Sequence, residues 1–179
     1  MQNNLLDKTK SYLIGYMEYG DGSKWREMVA KELSPLGVTC FDPYKKPFES
    51  QIKEDPETQA YLKSQRESNL KEVHDHMKEV IAFDLAMVDR SDFIICVINP
   101  KIPTYGTTHE IVVANQAKKP IFVAIEGGIK EAPLWLTGLL NPSYFYNSVE
   151  EIIEKLKKIN SNEIKIDSDR WRFFRSEFR

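Results

Sequence analysis

Cysteine is scarce in this chain. Its 179 residues contain two, Cys40 and Cys96, and neither lies in a CxxC pair. A disulfide scaffold or a zinc site is therefore not expected. Both fall in stretches that read as strands, where a reduced thiol acts as a small apolar side chain. Long apolar runs are lacking too: the longest is FIICVI, far short of the roughly 20 residues a membrane-spanning helix needs. The opening MQNNLLDKTK has no apolar segment of the kind a secretory signal carries. There is no basic excess, with 25 Lys and Arg against 27 Asp and Glu and a net charge of −2. That balance provides no general electrostatic footprint for DNA or RNA. Gly20 and Gly22 build no GxGxxG or P-loop. His74 and His76 stand two apart and face different directions on a helix, so they make no metal pair. No internal repeat or low-complexity tract is present. These absences point to a cytoplasmic globular protein, with no metal or organic cofactor called for.

What is there alternates. SYLIG (11–15) reads as a buried strand, followed by the glycine-rich loop YMEYGDGS. From Lys24 to Leu33, Trp25, Met28, Val29 and Leu33 recur at helical spacing. GVTCFDP is a second strand closed by an Asp-Pro turn. Residues 60–89 read as one long or broken helix. DFIICVINP, apolar without alternation, suits a strand covered on both faces. A helix over 107–118, the strand PIFVAIEGG, a short strand at 144–146 and an amphipathic helix at 149–159 complete the pattern. Strands alternating with helices predict a doubly wound, flavodoxin-like α/β fold: a five-stranded parallel sheet with helices on both faces. Ligands bind beyond the carboxyl ends of such strands. That edge should carry Gly15–Tyr16, Asp42–Pro43, Asn99–Pro100 and Gly127–Gly128. One domain over 1–160 is expected. Within it, the polar stretch 44–70 is either a lid or partner-binding insertion, or a solvated excursion. The tail 161–179 carries four arginines interleaved with Trp171, Phe173, Phe174 and Phe178. Such a tail suits docking on a neighbouring subunit better than base stacking.

Two carboxylates stand out. In TYGTTHE, Thr107 to Glu110 fits the capping box S/T-x-x-E. The same spacing also suits a first-turn carboxylate held ionised by the helix dipole and free amides, a nucleophile for glycosyl transfer. Spacing alone does not choose. Asp84 is the only charge within VIAFDLAMV, so it lies either on a narrow solvent stripe or in a polar pocket, since unpaired burial is costly. Asp92 reads as a cap or turn residue, and His109 as a neighbour of Glu110 that points elsewhere. Ser23, Lys24 and Arg26 open a helix that is either plainly exposed or able to contact a phosphate.

Taken together, the blocks SYLIGYMEYGDGSKWRE, FDP, DLAMVDRSDFIICVINP and GTTHEIVVANQAKKPIFVAI resemble the nucleoside 2-deoxyribosyltransferase family, its phage-encoded relatives and the related nucleotide N-glycosidases. The resemblance covers the chain outside 44–70 and the tail. It implies cleavage of the N-glycosidic bond of a 2-deoxynucleoside or its 5′-monophosphate by double displacement, the sugar passing to another base or to water. It assigns Glu110 as nucleophile, Asp84 to the sugar or base, and Tyr12 to holding the nucleophile. Gly15, Asp42, Thr104, Gly106 and Thr107 fall at the substrate rim, with Tyr16 or Trp25 placed to stack on the base, Trp25 reading equally well as a core residue. A homo-oligomer is implied, with Asn141 or Asn147 as the group lent to an adjacent subunit. The chain departs from the family at Tyr16, where a proline is usual. It departs again at Thr104, where classical transferases carry an aspartate acting on the leaving base. Threonine cannot serve as a general acid, so either Asp42 substitutes or classical base exchange is lost. A non-catalytic nucleotide-binding module and an interaction protein using the insertion and tail are the alternatives.

Overall fold

The computed structural model describes residues 4–17, 22–45, 52, 54–166 and 169–172. Phe173, Phe174, Phe178, Gly20 and part of the 44–70 insertion lie outside the described residues.

Five strands form one sheet: β1 (Lys10–Gly15), β2 (Thr39–Phe41), β3 (Phe93–Ile98), β4 (Ile121–Ile125) and β5 (Phe145–Tyr146). Their order is β2-β1-β3-β4-β5, and every pairing is parallel. The doubly wound reading therefore stands. All residues of β3 and β4 are buried, which is why neither shows alternation in sequence. The pleat is nonetheless there, because successive side chains enter different layers. Leu13 and Ile95 join one apolar layer with Val29, Leu33, Ile152 and Leu156. Tyr12, Ile14 and Ile94 join the other, with Met87, Ile111 and Leu136. The first layer is covered by α1 (Ser23–Leu33) and α6 (Val149–Asn160). The second is covered by α3 (Leu70–Arg90), α4 (Tyr105–Gln116) and the short α5 (Leu134–Leu139).

Several boundaries depart from the sequence reading. The stretch 60–89, read as one long or broken helix, is the broken form with wider bounds: α2 (Pro56–Gln65) and α3, separated at 66–69. Each helix start is capped locally: Asp55 accepts from the Thr58 amide at 2.7 Å at the start of α2. Asn69 accepts from the Glu72 amide at 3.3 Å at the start of α3. Thus α2 lies inside the insertion and packs against α3 with Leu62 buried. Helix α5 had no counterpart in the sequence reading. It buries only Leu136 and leaves Leu134 and Trp135 exposed, so it lacks the apolar stripe that periodicity detects.

Trp171, expected among aromatics docked on a neighbouring subunit, is instead buried in this chain's own core. Its ring lies 6.0 Å from Phe93 and 5.8 Å from Phe122. Arg170 beside it donates to Asn115 Oδ1 at 2.8 Å and to the Lys119 carbonyl at 3.0 Å.

Candidate active site

Strand order reverses between β1 and β3, and the crevice expected there is a cavity of about 350 Å3. Tyr12 enters it from β1, Asp84 from α3, and Thr104, Gly106, Thr107 and Glu110 from the start of α4. Gly15 and Tyr16 line it from the end of β1. Eight of the ten residues that the resemblance assigns to the nucleophile, its neighbours and the substrate rim therefore meet in one place.

Glu110 is 7% exposed, and its Oε1 accepts a hydrogen bond from the Tyr12 hydroxyl at 2.6 Å. The capping-box reading is overturned. Helix α4 starts at Tyr105 with Thr104 as N-cap, the Thr104 side chain accepts from no first-turn amide, and the first turn holds no acid. Glu110 thus sits in the second turn, beyond the free first-turn amides that were expected to hold it ionised. Its carboxyl is instead pushed up to about 8, first by burial and then by the nearby charge of Asp84. The Tyr12 hydrogen bond and the Arg26 charge act in the opposite sense. Burial, reinforced by the charges of Glu110 and Asp84, keeps the Tyr12 phenol well above its usual range, so it remains a donor.

Asp84 is half-buried on the cavity-facing stripe of α3, which settles its position in favour of the pocket. The same stripe presents Val73, His76, Met77, Val80 and Ile81, while α2 adds Leu62 and Lys63, with Arg66 just beyond it. Sequence reasoning missed this wall. The signal was present as an i, i+3, i+4 recurrence from residue 73 to residue 84. An otherwise polar insertion hid the partner helix.

Two predicted residues lie elsewhere. Asp42 is buried but does not line the cavity. Its Oδ1 stands 4.0 Å from Arg26 Nε and accepts from the Tyr44 amide at 3.0 Å, so it is no replacement acid for Thr104. Trp25 packs in the core layer beneath α1 and lines a separate cleft with Val97, Ala124 and Asn147. It is not placed to stack on a base in the carboxylate cavity.

Arg26 is also not an exposed phosphate ligand. It is fully buried and donates to the carbonyls of Leu13 at 3.1 Å, Gly22 at 2.8 Å and Gly15 at 3.0 Å. Its guanidinium lies 4.6 Å from the Trp25 ring centre and 5.2 Å from that of Tyr44. This cation therefore ties the end of β1 to Asp42 at the end of β2. Gly15 is tightly enclosed there: an added Cβ would meet the Val97 carbonyl at 3.0 Å and the Trp25 ring at 3.1 Å. By contrast, a Cβ on Gly106 would meet nothing within 4 Å. The Tyr16 hydroxyl reaches away to Glu126 Oε1 at 2.7 Å. Asn141 and Asn147 make local bonds, to the Ser143 amide at 3.0 Å and the Ile129 amide at 3.1 Å.

Among the described residues, no group of three or more His, Cys, Asp or Glu side chains is placed to hold a metal ion. No described helix is long and apolar enough to cross a membrane. The arrangement can present a carboxylate, positioned by a phenol and flanked by a second acid, to a ligand of sugar-and-base size.

No family model matches the chain, and no curated protein matches it. Among solved structures, it is similar to a 2-deoxyribosyltransferase from Bacillus psychrosaccharolyticus, with a TM-score of 0.56 and 18% identity, over 82% of this chain and 95% of that one. A CMP N-glycosidase from Clostridium botulinum matches at a TM-score of 0.45 and 18% identity, over 83% of this chain and 98% of that one. What the chain shares with the Bacillus 2-deoxyribosyltransferase is its α/β fold.

Proposed function

We propose that the protein cleaves the N-glycosidic bond of a 2-deoxynucleoside or its 5′-monophosphate through a covalent glycosyl-Glu110 intermediate, and passes the deoxyribose to another base. The observation that carries this reading is the 2.6 Å contact between the Tyr12 hydroxyl and Glu110 inside a cavity shared with Asp84. An ionised Glu110 oxygen forms a bond to C1′ as the C1′–N bond breaks. The electron pair leaves with the base, which takes a proton from water. Positive charge developing on the sugar is stabilised by Asp84 and by Glu110 itself. A second base nitrogen then attacks C1′, frees the carboxylate and loses its proton to solvent. Tyr12 steadies the unreacted oxygen, and Asp84 orients the sugar or base.

Transfer to water, a nucleotide N-glycosidase activity, is the second reading. It is favoured by Thr104, which lines the cavity where a general acid would serve base exchange. The names of the two structural neighbours, a 2-deoxyribosyltransferase and a CMP N-glycosidase, are in keeping with either chemistry. A cytoplasmic homo-oligomer acting on a small nucleoside or nucleotide completes the proposal.

The test is incubation with a 2-fluoro-arabino nucleoside or nucleotide, followed by intact-mass measurement. A glycosyl adduct on the wild type and none on Glu110→Gln is expected. Base release from deoxynucleotides, with and without a free acceptor base, separates transferase from hydrolase. No adduct and no base release would leave a non-catalytic binder.

A further inference from the structure

We propose that Arg26 is a positioning residue for Glu110: clamped to the end of β1 behind Tyr12, its buried guanidinium is the counter-charge that lets the carboxylate form in the cavity. This role rests on the glycosidic reading above and adds to it the group that makes a buried acid usable as a nucleophile. Arg26 does not itself line the cavity.

The clamp is built from backbone. A fully buried arginine is uncommon, and Arg26 gives its donors to one segment. Nε donates to the Leu13 carbonyl at 3.1 Å, Nη2 to that of Gly15 at 3.0 Å, and Nη1 to those of Tyr16 at 3.4 Å and Gly22 at 2.8 Å. Three of these acceptors follow directly on Tyr12, whose hydroxyl donates to Glu110 at 2.6 Å. The Tyr44 ring, centred 5.2 Å from the guanidinium, bounds the same corner, and its hydroxyl donates to the Met17 carbonyl at 3.2 Å. Gly15, Tyr16 and Met17 all line the cavity. The cation is thus fixed against the strand end that bears the phenol and the rim.

The charge is held but not cancelled. Carbonyls and rings satisfy the donors of a guanidinium while leaving its positive charge in place. The carboxylate beside it, Asp42, stands 4.0 Å from Nε, beyond the distance of a charge-assisted hydrogen bond. Inside a protein such a charge acts on other groups through a low dielectric. The titratable groups that interact with it are Asp42 at the end of β2, Tyr44 beyond it, Tyr12 on β1 and Cys96 on β3. Those that interact with Glu110 are Asp84 on α3, Tyr12, Cys96 and Arg26. Burial and Asp84 push the Glu110 carboxyl up, and Arg26 draws it down, in the direction a nucleophile requires. The Tyr12 phenol and the Cys96 thiol feel the same downward pull from Arg26.

The test reads Glu110 directly, without turnover. Protein carrying 13C at its glutamate carboxyls is titrated by NMR, and the Glu110 resonance is the one absent from E110Q. Wild type, Arg26→Gln, Arg26→Lys and Asp42→Asn are compared, with thermal melts to establish which are folded. Removing the charge in R26Q should raise the Glu110 midpoint by about 1 on the pH scale or more. R26K keeps the charge and loses the fork, so its midpoint should stay near that of the wild type even where it melts lower. D42N leaves Arg26 less neutralised and should lower the midpoint, which tests the charge even where R26Q does not fold. A midpoint that is unmoved or raised in D42N, or unmoved in a folded R26Q, overturns the proposal. So does a midpoint displaced as far in R26K as in R26Q, which would make the effect one of packing. Midpoints that move as expected, with no adduct and no base release by the wild type, support the role of Arg26 and overturn the glycosidic reading instead. Base release with midpoints that stay put overturns the role of Arg26 alone.

Discussion

The Tyr12 hydroxyl and Glu110 Oε1, 98 residues apart in sequence, meet at 2.6 Å inside the cavity. Strand β1 supplies one partner and the second turn of α4 the other. Each side chain changes the chemistry of its neighbour. The phenol offsets part of the burial that favours a protonated carboxyl, and the carboxylate keeps the phenol protonated.

Removing that hydroxyl with Tyr12→Phe should lower kcat/KM by roughly 10- to 100-fold, the range for losing a hydrogen bond to a charged group. Because the bond lowers the Glu110 pKa, its loss should also move the rising limb of the pH–rate profile to higher pH. A fall in rate with no displacement of the limb would argue that Tyr12 does not act through Glu110.

In the proposed mechanism Glu110 must be ionised to attack, and its carboxyl is pushed up to about 8. For the wild type, kcat/KM should therefore rise with pH through that region. Asp84→Asn removes the second-largest cause of the upward displacement and should move the limb downward, alongside a loss of rate from poorer substrate positioning. Initial rates from pH 5 to 10 in both proteins decide this.

The same displacement affects stability. A carboxyl whose folded value lies above its unfolded value binds more protons in the folded state. Its contribution is full below the unfolded value and is lost as pH rises through the folded one. Thermal melts of the wild type should lose a few degrees relative to E110Q between about pH 5 and 9. Parallel melting curves for the two proteins across that range would contradict the burial assigned to Glu110.

Arg26→Met should destabilise the fold by about 3–5 kcal/mol, since it strips a buried charge from its carboxylate partner and from four carbonyls. Urea unfolding measures this directly. A loss below about 1 kcal/mol would show that the end of β1 does not depend on the guanidinium.

The two cavity glycines should respond in opposite ways. Gly15→Ala forces a methyl against the Val97 carbonyl and should cost about 1–3 kcal/mol, as overpacking does. Gly106→Ala meets open space and should gain up to about 1 kcal/mol of stability from helix propensity. Its kcat/KM should fall, since the new methyl occupies substrate volume. Unfolding and kinetic measurements on both variants test the contrast.

The alternating elements, and with them the doubly wound sheet, were legible because hydrophobic periodicity is a local property. DFIICVINP and PIFVAIEGG announce strands covered on both faces without reference to the rest of the chain. Asp84 was legible for the same reason, as one charge among apolar neighbours. Position within the tertiary fold was not. TYGTTHE looks like a capping box, and only the packed helix shows that α4 begins at Tyr105 and buries Glu110 in its second turn. Asp42 sits on a strand end that faces ligands in such folds, yet Arg26 captures it. Trp25 and Trp171 turn into the core. The α2 wall of the cavity was concealed by a polar stretch whose buried contact is Leu62. Backbone periodicity is encoded within a few neighbouring residues, and sequence alone determined that much. Burial, charge coupling and the pairing of Tyr12 with Glu110 arise between segments far apart in the chain, and those only the tertiary structure decided.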